Sequence, residues 1–158
     1  MTRALAAAAS AALLNVTLAS ANTTIALEDV PDNVMETAIN TAPGVTFERV
    51  SIESENGVSI YEFEATDHAG RHIEIDITED GELEEIEMEH DFDDIPAAVA
   101  ATLDKTVPGF EPDYVEFSVR QNAPIYVYEF DGSYEGRPVD IEIAEDGELL
   151  LFTHGLSS

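Results

Sequence analysis

Twelve residues near the middle of the chain, DITEDGELEEIE (76–87), carry oxygen-bearing side chains at a spacing that could bind calcium. In the EF-hand loop, positions one, three, five and twelve provide side-chain ligands, and position six is a glycine that allows a sharp turn. The residues at these positions are Asp76, Thr78, Asp80, Glu87 and Gly81. The stretch has two interpretations: a calcium loop, or two β-strands joined by a tight acidic turn.

The flanking residues favour the hairpin. An EF-hand loop lies between helices, whereas RHIEIDI (71–77) alternates polar and apolar residues with the period of a strand. A second copy, EIAEDGELLLFT (142–153), keeps the turn but has Ala144 at position three and Thr153 at position twelve. Because Asp-Gly provides the positive φ of a hairpin turn, two copies of one backbone need the turn and not the ligands. Weak cation binding by clustered carboxylates remains an open alternative.

No catalytic centre is predicted. His72, Glu74 and Asp76 alternate along one strand and could converge on a metal, but Pro138 replaces His72 in the second copy. Acid–base catalysis needs a carboxyl whose pKa is shifted by burial, and the acids are expected to be mutually exposed on an open face. No Ser-His-Asp arrangement or glycine-rich phosphate loop is recognised. We therefore predict a protein that is not an enzyme, with no cofactor and no metal site.

The charge balance limits the class of partner. The 158 residues include six Lys plus Arg and thirty-four Asp plus Glu, with a net charge of −28 and no cysteine. This charge opposes binding to nucleic acid or to an anionic membrane, and it suits a basic protein or weakly bound divalent cations. Adaptation to salty surroundings is a further alternative, because salt screens the self-repulsion. Disulfides and thiolate metal sites are excluded.

The first 21 residues, MTRALAAAASAALLNVTLASA, have the order of a secretory signal. Arg3 precedes an alanine- and leucine-rich stretch, and small residues end it, so cleavage is predicted after Ala21. Asn15 and Thr17 make the segment a poor membrane span. The mature protein is predicted to be periplasmic or extracellular, without attachment to a membrane.

The remaining chain contains an internal repeat. Two pairs of segments align, one with the spacing of an amphipathic helix and one with the alternation of strands. The pairs are DVPDNVMETAINTAPG (29–44) with DIPAAVAATLDKTVPG (94–109), and GRHIEIDITEDGEL (70–83) with GRPVDIEIAEDGEL (136–149). Asp29 and Asp94 are predicted to cap the helices, and each Pro-Gly pair to end one. The predicted domains are the signal peptide at 1–21 and repeats at 27–90 and 91–158.

Alternation also predicts which side chains share a face. Apolar positions such as Tyr61, Phe63, Tyr126 and Tyr128 are expected to point towards the helices, and the acidic positions between them to point away. One repeat alone buries too little surface to form a stable fold. The predicted fold is therefore α+β, with two helix-plus-sheet repeats forming one antiparallel sheet that has both helices on one face.

These features resemble a known family. Tandem helix-plus-sheet repeats behind a signal peptide, with YEFEATDHAGRHIEIDITEDGELEEIE (61–87) as the hairpin core, look like PepSY-like domains. Those domains are similar in fold to the β-lactamase inhibitory proteins, and the resemblance covers residues 27–152. It implies an extracytoplasmic binding module and, for some members, an inhibitor of a secreted enzyme. The β-lactamase inhibitory proteins carry disulfides that this chain cannot form, which argues against inhibition of β-lactamase itself.

The candidate binding surface consists of the acidic sheet face and one hairpin tip. Tyr134, in DGSYEGR (131–137), either anchors an interface or folds back on the sheet edge. The acidic candidates are Glu53, Glu62, Glu64, Glu74, Asp76, Glu116, Glu129, Asp140 and Glu142. The leading prediction is a secreted module that docks a protein partner, basic in character, and inhibits or regulates an extracytoplasmic enzyme. The alternative is an envelope protein that binds or buffers cations such as calcium.

Overall fold

The fold is an antiparallel sheet with two α-helices, described here from a computed structural model over residues 23–55, 57–121 and 125–155. The predicted signal peptide, 1–21, lies outside the described residues. The strands are β1 (Thr23–Ile25), β2 (Phe47–Glu55), β3 (Val58–Thr66), β4 (His72–Thr78), β5 (Leu83–Glu89), β6 (Tyr114–Arg120), β7 (Tyr126–Tyr134), β8 (Arg137–Ala144) and β9 (Leu149–His154). The helices are α1 (Asp32–Thr41) and α2 (Ala97–Thr106). No helix in these ranges is long and apolar enough to cross a membrane.

The nine strands form one sheet in which each strand pairs with its neighbours in sequence. β5 and β6, which flank α2 in the chain, pair from Glu85–Arg120 to Glu89–Glu116 and so join the strands before α2 to those after it. The predicted α+β class with a single antiparallel sheet is confirmed. β1 was not predicted from the sequence. It is only three residues long and pairs with β2 through Ile25 and Val50.

Both helices pack against the same face of the sheet. Val34 and Ala38 of α1 are buried in one apolar cluster with Phe63, and Val99 and Leu103 of α2 are buried in a second. The second cluster continues through Phe130, Ile141 and Ile143. A continuous register from Phe63 through Ile75, Ile86 and Val119 to Tyr126 keeps the two clusters on one side. Each fully buried side chain of this kind contributes about 1.5–3 kcal/mol.

The hairpin prediction for residues 76–87 is confirmed. β4 and β5 are antiparallel, and Gly81 has φ +83° in the turn between them. The Thr37 hydroxyl of α1 donates a 2.8 Å hydrogen bond to the Gly81 carbonyl oxygen. A Cβ on Gly81 would lie 2.9 Å from Asn33 Nδ2, so this turn needs glycine for its backbone angle and for the contact with α1.

The second turn docks on α2 in the same way. Thr102 donates to the Gly147 carbonyl oxygen at 2.7 Å, and Gly147 has φ +90°. A Cβ on Gly147 would lie 2.9 Å from the Ala98 carbonyl oxygen. Each helix is therefore fixed to the sheet by a threonine–glycine hydrogen bond as well as by its apolar face.

The capping prediction is wrong. α1 begins at Asp32 with Pro31 at the N-cap, and α2 begins at Ala97 with Pro96 at the N-cap; neither has a side-chain cap. Asp29 and Asp94 instead end short 3₁₀ turns. The residue before a proline is held extended, which separates each aspartate from the helix that follows. The helix ends agree with the prediction, since Gly44 and Gly109 have φ +84° and +74° just beyond them.

Candidate functional site

Carboxylates face one another directly across neighbouring strands on the outer face, the side of the sheet opposite the helices. The directly opposed pairs are Glu62–Asp76, Glu64–Glu74, Glu74–Glu87, Asp76–Glu85, Glu89–Glu116, Glu116–Glu129, Glu129–Glu142 and Asp131–Asp140. Like charges at directly opposed positions destabilise a sheet. Wherever both members of a pair are ionised, the arrangement therefore opposes folding.

Arg120 is the cation at the centre of this face. Its Nε donates to Glu85 at 2.6 Å, its Nη1 to Glu142 at 2.8 Å and its Nη2 to Glu129 at 3.0 Å. The side chain is only 25% exposed. Burial alone would lower the pKa of Arg120, but the hydrogen bonds to Glu85 and Glu142 hold that pKa above its ordinary value. One guanidinium thus links β5, β6, β7 and β8.

Asp76 and Glu87, also at the centre, form no ion pair with any Lys or Arg among the described residues, and their pKa values are high. Burial, together with the charges of Glu62 and Glu53, raises the pKa of Asp76 to about 8. Burial and the charge of Glu129 raise the pKa of Glu87 to about 10. Asp76 Oδ1 is buried and accepts no hydrogen bond from any described residue. At neutral pH, Asp76 and Glu87 therefore hold protons.

The expectation of a fully open face of mutually exposed acids is wrong. Burial, and next to it the charge of Glu142, also raises the pKa of Glu129 to about 7, although Arg120 opposes the shift. The face contains completely buried residues, including Ser51, Ser118 and Val127. Ser51 and Ser118 donate hydrogen bonds to Glu62 and Glu85, so the long acidic side chains lie over the short ones and shield them. The alternation of residues along a strand indicates which face a side chain points to. The packing of long side chains over short ones determines how far that side chain is buried.

Towards β2 and the start of β4, basic residues neutralise part of the charge. Arg49 forms ion pairs with Glu62 and Glu64. His72 Nε2 lies 2.8 Å from Glu74 Oε1. Burial alone would lower the pKa of His72, but the hydrogen bond and charge of Glu74 raise it overall. Part of the acidic charge on this side of the face is therefore compensated.

The structure brings the predicted acidic residues together and separates Tyr134 from them. The predicted carboxylates of β2, β3, β4, β6, β7 and β8 occupy positions on the outer face. Tyr134 lies on the helix side, where its ring packs edge-on against Phe110 at 6.4 Å between centroids. Of the two interpretations offered for Tyr134, the structure has the ring folded back. Three further residues of the outer face were absent from the predicted site: Glu85, Glu87 and Arg120. The alternation of the sequence does predict that their side chains point outwards.

Three carboxylates could share a cation. One oxygen each from Glu85, Glu87 and Glu129 lies within 4.8 Å of the other two. Calcium takes six to eight oxygen ligands, so this trio, with one oxygen from each residue, would provide at most half of them. The arrangement suits weak cation contact and the docking of basic side chains, which need a region of negative charge more than a fixed coordination geometry.

No family model and no curated protein sequence matches the chain. Its fold is similar to those of solved structures. A BLIP-like protein from Bacteroides fragilis is 18% identical with a TM-score of 0.60, over 81% of this chain and 87% of that chain. A protein from Bacteroides eggerthii whose name places it in the periplasm is 15% identical with a TM-score of 0.64, over 79% and 88%. A DUF2874 family protein from Bacteroides uniformis is 12% identical with a TM-score of 0.63, over 78% and 88%. The chain therefore has a BLIP-like fold.

Proposed function

We propose that this chain is a secreted, non-enzymatic binding module whose outer face docks the basic surface of a protein partner. The cross-strand acid pairs are the observation that carries the proposal. Eight directly opposed acid pairs lie on one face, and wherever both members are ionised their repulsion destabilises the sheet, whereas a basic partner would relieve it. Complementary charge of this kind also steers encounter and selects against acidic partners.

The proposed arrangement is a signal peptide at 1–21 followed by PepSY-like repeats at 27–90 and 91–158. The equivalent turn–helix hydrogen bonds of Thr37 and Thr102 support the duplication. The proposed partner is an extracytoplasmic enzyme that the module inhibits or regulates. The BLIP-like fold and the periplasmic name of one protein with this fold support that assignment.

A partner-capture experiment tests the proposal. The chain from Asn22 onwards would be immobilised and exposed to secreted proteins of its host at low and at high salt. Any retained protein would then be purified and titrated against the module, with its enzymatic activity followed during the titration. Electrostatic docking predicts retention at low salt, release at high salt and a basic partner whose activity changes on binding.

Matched variants show whether the outer face is responsible. Glu74→Gln with Glu116→Gln removes two charges from the face, and Glu28→Gln with Glu111→Gln removes two from exposed positions outside the sheet. Only the first variant should weaken binding of the purified partner. If both variants bind alike, or if retention is insensitive to salt, docking through the outer face is refuted.

Cation binding is the second candidate function. The oxygen trio of Glu85, Glu87 and Glu129 favours it. Calorimetric titration with calcium distinguishes the two functions, because a saturable micromolar site that is lost in Glu87→Gln would support a cation-binding protein. Heat that grows without saturation into the millimolar range is expected if the face is built for a protein.

A further inference from the structure

A pocket lies at the end of the sheet where β5 meets β6, away from the centre of the outer face. It has a volume of about 390 Å³, within the range of small-ligand sites. Its walls come from the segment that leaves β5, from the residues that lead into β6, and from Arg71 just before β4. The pocket therefore forms only when β5 and β6 are paired.

The pocket combines three carboxylates with aromatic and aliphatic surface. Glu89, Asp91 and Asp113 provide the charge. Phe92 and Tyr114 provide the rings, and Phe92 is 39% exposed although its ring also packs edge-on against Phe130 at 6.3 Å. A group that satisfies both parts of this lining must be cationic at one end and have a flat or apolar body.

Arg71, which lies in the wall, is already paired. Arg71 lies 2.7 Å from Asp67 through Nη2 and donates to the same carboxylate at 2.8 Å through Nε. Asp91 and Asp113, in contrast, form no ion pair with any Lys or Arg in the described parts of the chain. The net charge of the lining is negative, which excludes anions and favours a cation.

The walls are held in place by backbone contacts. The His90 amide donates to the Val115 carbonyl oxygen at 2.9 Å, and the Asp113 amide donates to the Asp131 carbonyl oxygen at 2.8 Å. The His90 ring packs against Tyr128 at 5.4 Å between centroids. Asp91 accepts from the Asp93 amide at 3.1 Å, which orients its carboxylate. The backbone on both sides of the pocket is thus held in place, and the Asp91 carboxylate is oriented.

We propose that this pocket binds an alkylguanidinium group, with its planar head between the carboxylates and its stem against Phe92 and Tyr114. A guanidinium forms paired hydrogen bonds with carboxylates and also stacks flat on aromatic rings, whereas an ammonium is a compact, strongly hydrated point charge without either geometry. The group could belong to a free small molecule or to an arginine of a bound protein. The proposal differs from docking on the outer face, because Asp91 and Asp113 lie outside the eight directly opposed acid pairs and only Glu89 belongs to both sets.

NMR titration of the uniformly labelled chain from Asn22 tests the proposal. The probes are butylguanidinium, butylammonium and the neutral butylurea, in 0.3 M NaCl to suppress diffuse attraction. We expect saturable shifts confined to 89–92 and 112–115, with butylguanidinium binding at least threefold more tightly than butylammonium and butylurea not binding. Two further probes identify the source: tighter binding of agmatine indicates a free ligand, and tighter binding of N-acetyl-arginine-N-methylamide indicates a protein side chain.

Asp113→Asn should weaken butylguanidinium about tenfold, because one charge-assisted hydrogen bond is lost. Asp93→Asn is the control, since Asp93 is exposed in the same region but does not line the pocket. Equal binding of butylurea, shifts spread over the whole outer face, or equal effects of the two substitutions would overturn the proposal. The amide spectrum of each variant reports whether it remains folded.

Discussion

Replacing Asp76 with asparagine should stabilise the protein, and by an amount that depends on pH. The carboxyl is mostly buried, its Oδ1 has no hydrogen-bond donor among the described residues, and Glu62 and Glu85 stand directly opposite it. Burial raises its pKa to about 8. Asparagine keeps the shape of the protonated acid, and its amide can donate to those neighbouring carboxylates.

The sign follows from proton linkage. Below about pH 4 the group is protonated in both states and contributes nothing to the pH dependence. Between about pH 4 and 8 the folded state keeps a proton that the unfolded state has released, so stability falls by about 1.4 kcal/mol per pH unit. Above about pH 8 the loss is constant. By pH 7 the loss relative to pH 4 is about 4 kcal/mol, and Asp76→Asn removes it.

Urea unfolding followed by circular dichroism at pH 5, 6, 7 and 8 measures this difference. The gain in unfolding free energy of Asp76→Asn over the unsubstituted chain should grow by about 1 kcal/mol or more per pH unit. Asp80→Asn is the control, because it removes the same charge from an exposed turn and should change stability by less than about 0.5 kcal/mol. A gain that stays constant from pH 5 to 8, or a variant that is less stable at pH 7, would refute the assignment of a buried, protonated acid.

Three further substitutions test other parts of the structure. Arg120→Gln leaves three carboxylates without their cation, and we expect a loss of about 3 kcal/mol at pH 8 that shrinks at pH 5, measured by urea unfolding. Gly81→Ala should cost about 1–2 kcal/mol more than Gly136→Ala in thermal unfolding, because both have positive φ but only Gly81 has Asn33 within 3 Å of an added Cβ. Tyr134→Ala should lower the free energy of unfolding by about 1–2 kcal/mol without changing partner capture, because the Tyr134 ring packs on Phe110. Unchanged stability together with lost capture would instead show that Tyr134 contacts the partner.

Much of the fold could be predicted from the sequence because it depends on local patterns of residues. Strict alternation in β3 and β4 predicted that Phe63 and Ile75 face the helices, and both are completely buried. The Asp-Gly pair predicted the β4–β5 turn, where Gly81 has the required positive φ. These features are determined within a few residues, so a single sequence was sufficient to predict them.

The features that were missed depend on contacts between distant parts of the chain. The ion pair of Arg120 with Glu85 forms across the β5–β6 pairing, whose register no local pattern gives. Asp76 lies between Glu62 and Glu85 on the neighbouring strands, and its burial depends on that pairing. Tyr126 faces the helix side as predicted, yet it is 45% exposed and stacks on Phe117 at 5.9 Å. Alternation predicts which face a side chain is on, and it does not predict what covers that face.

The order of the strands has a consequence for how quickly the molecule reaches its native state. Every strand pairs only with the strand before it and the strand after it, so most closures span a single tight turn. Chains dominated by short-range contacts fold faster than those that must first close long loops. Among the described strands the wide closures are that of β1 with β2, which encloses α1, and the longer β5–β6 junction, which encloses α2. We expect that junction to form last, after the strands on either side of it have already assembled.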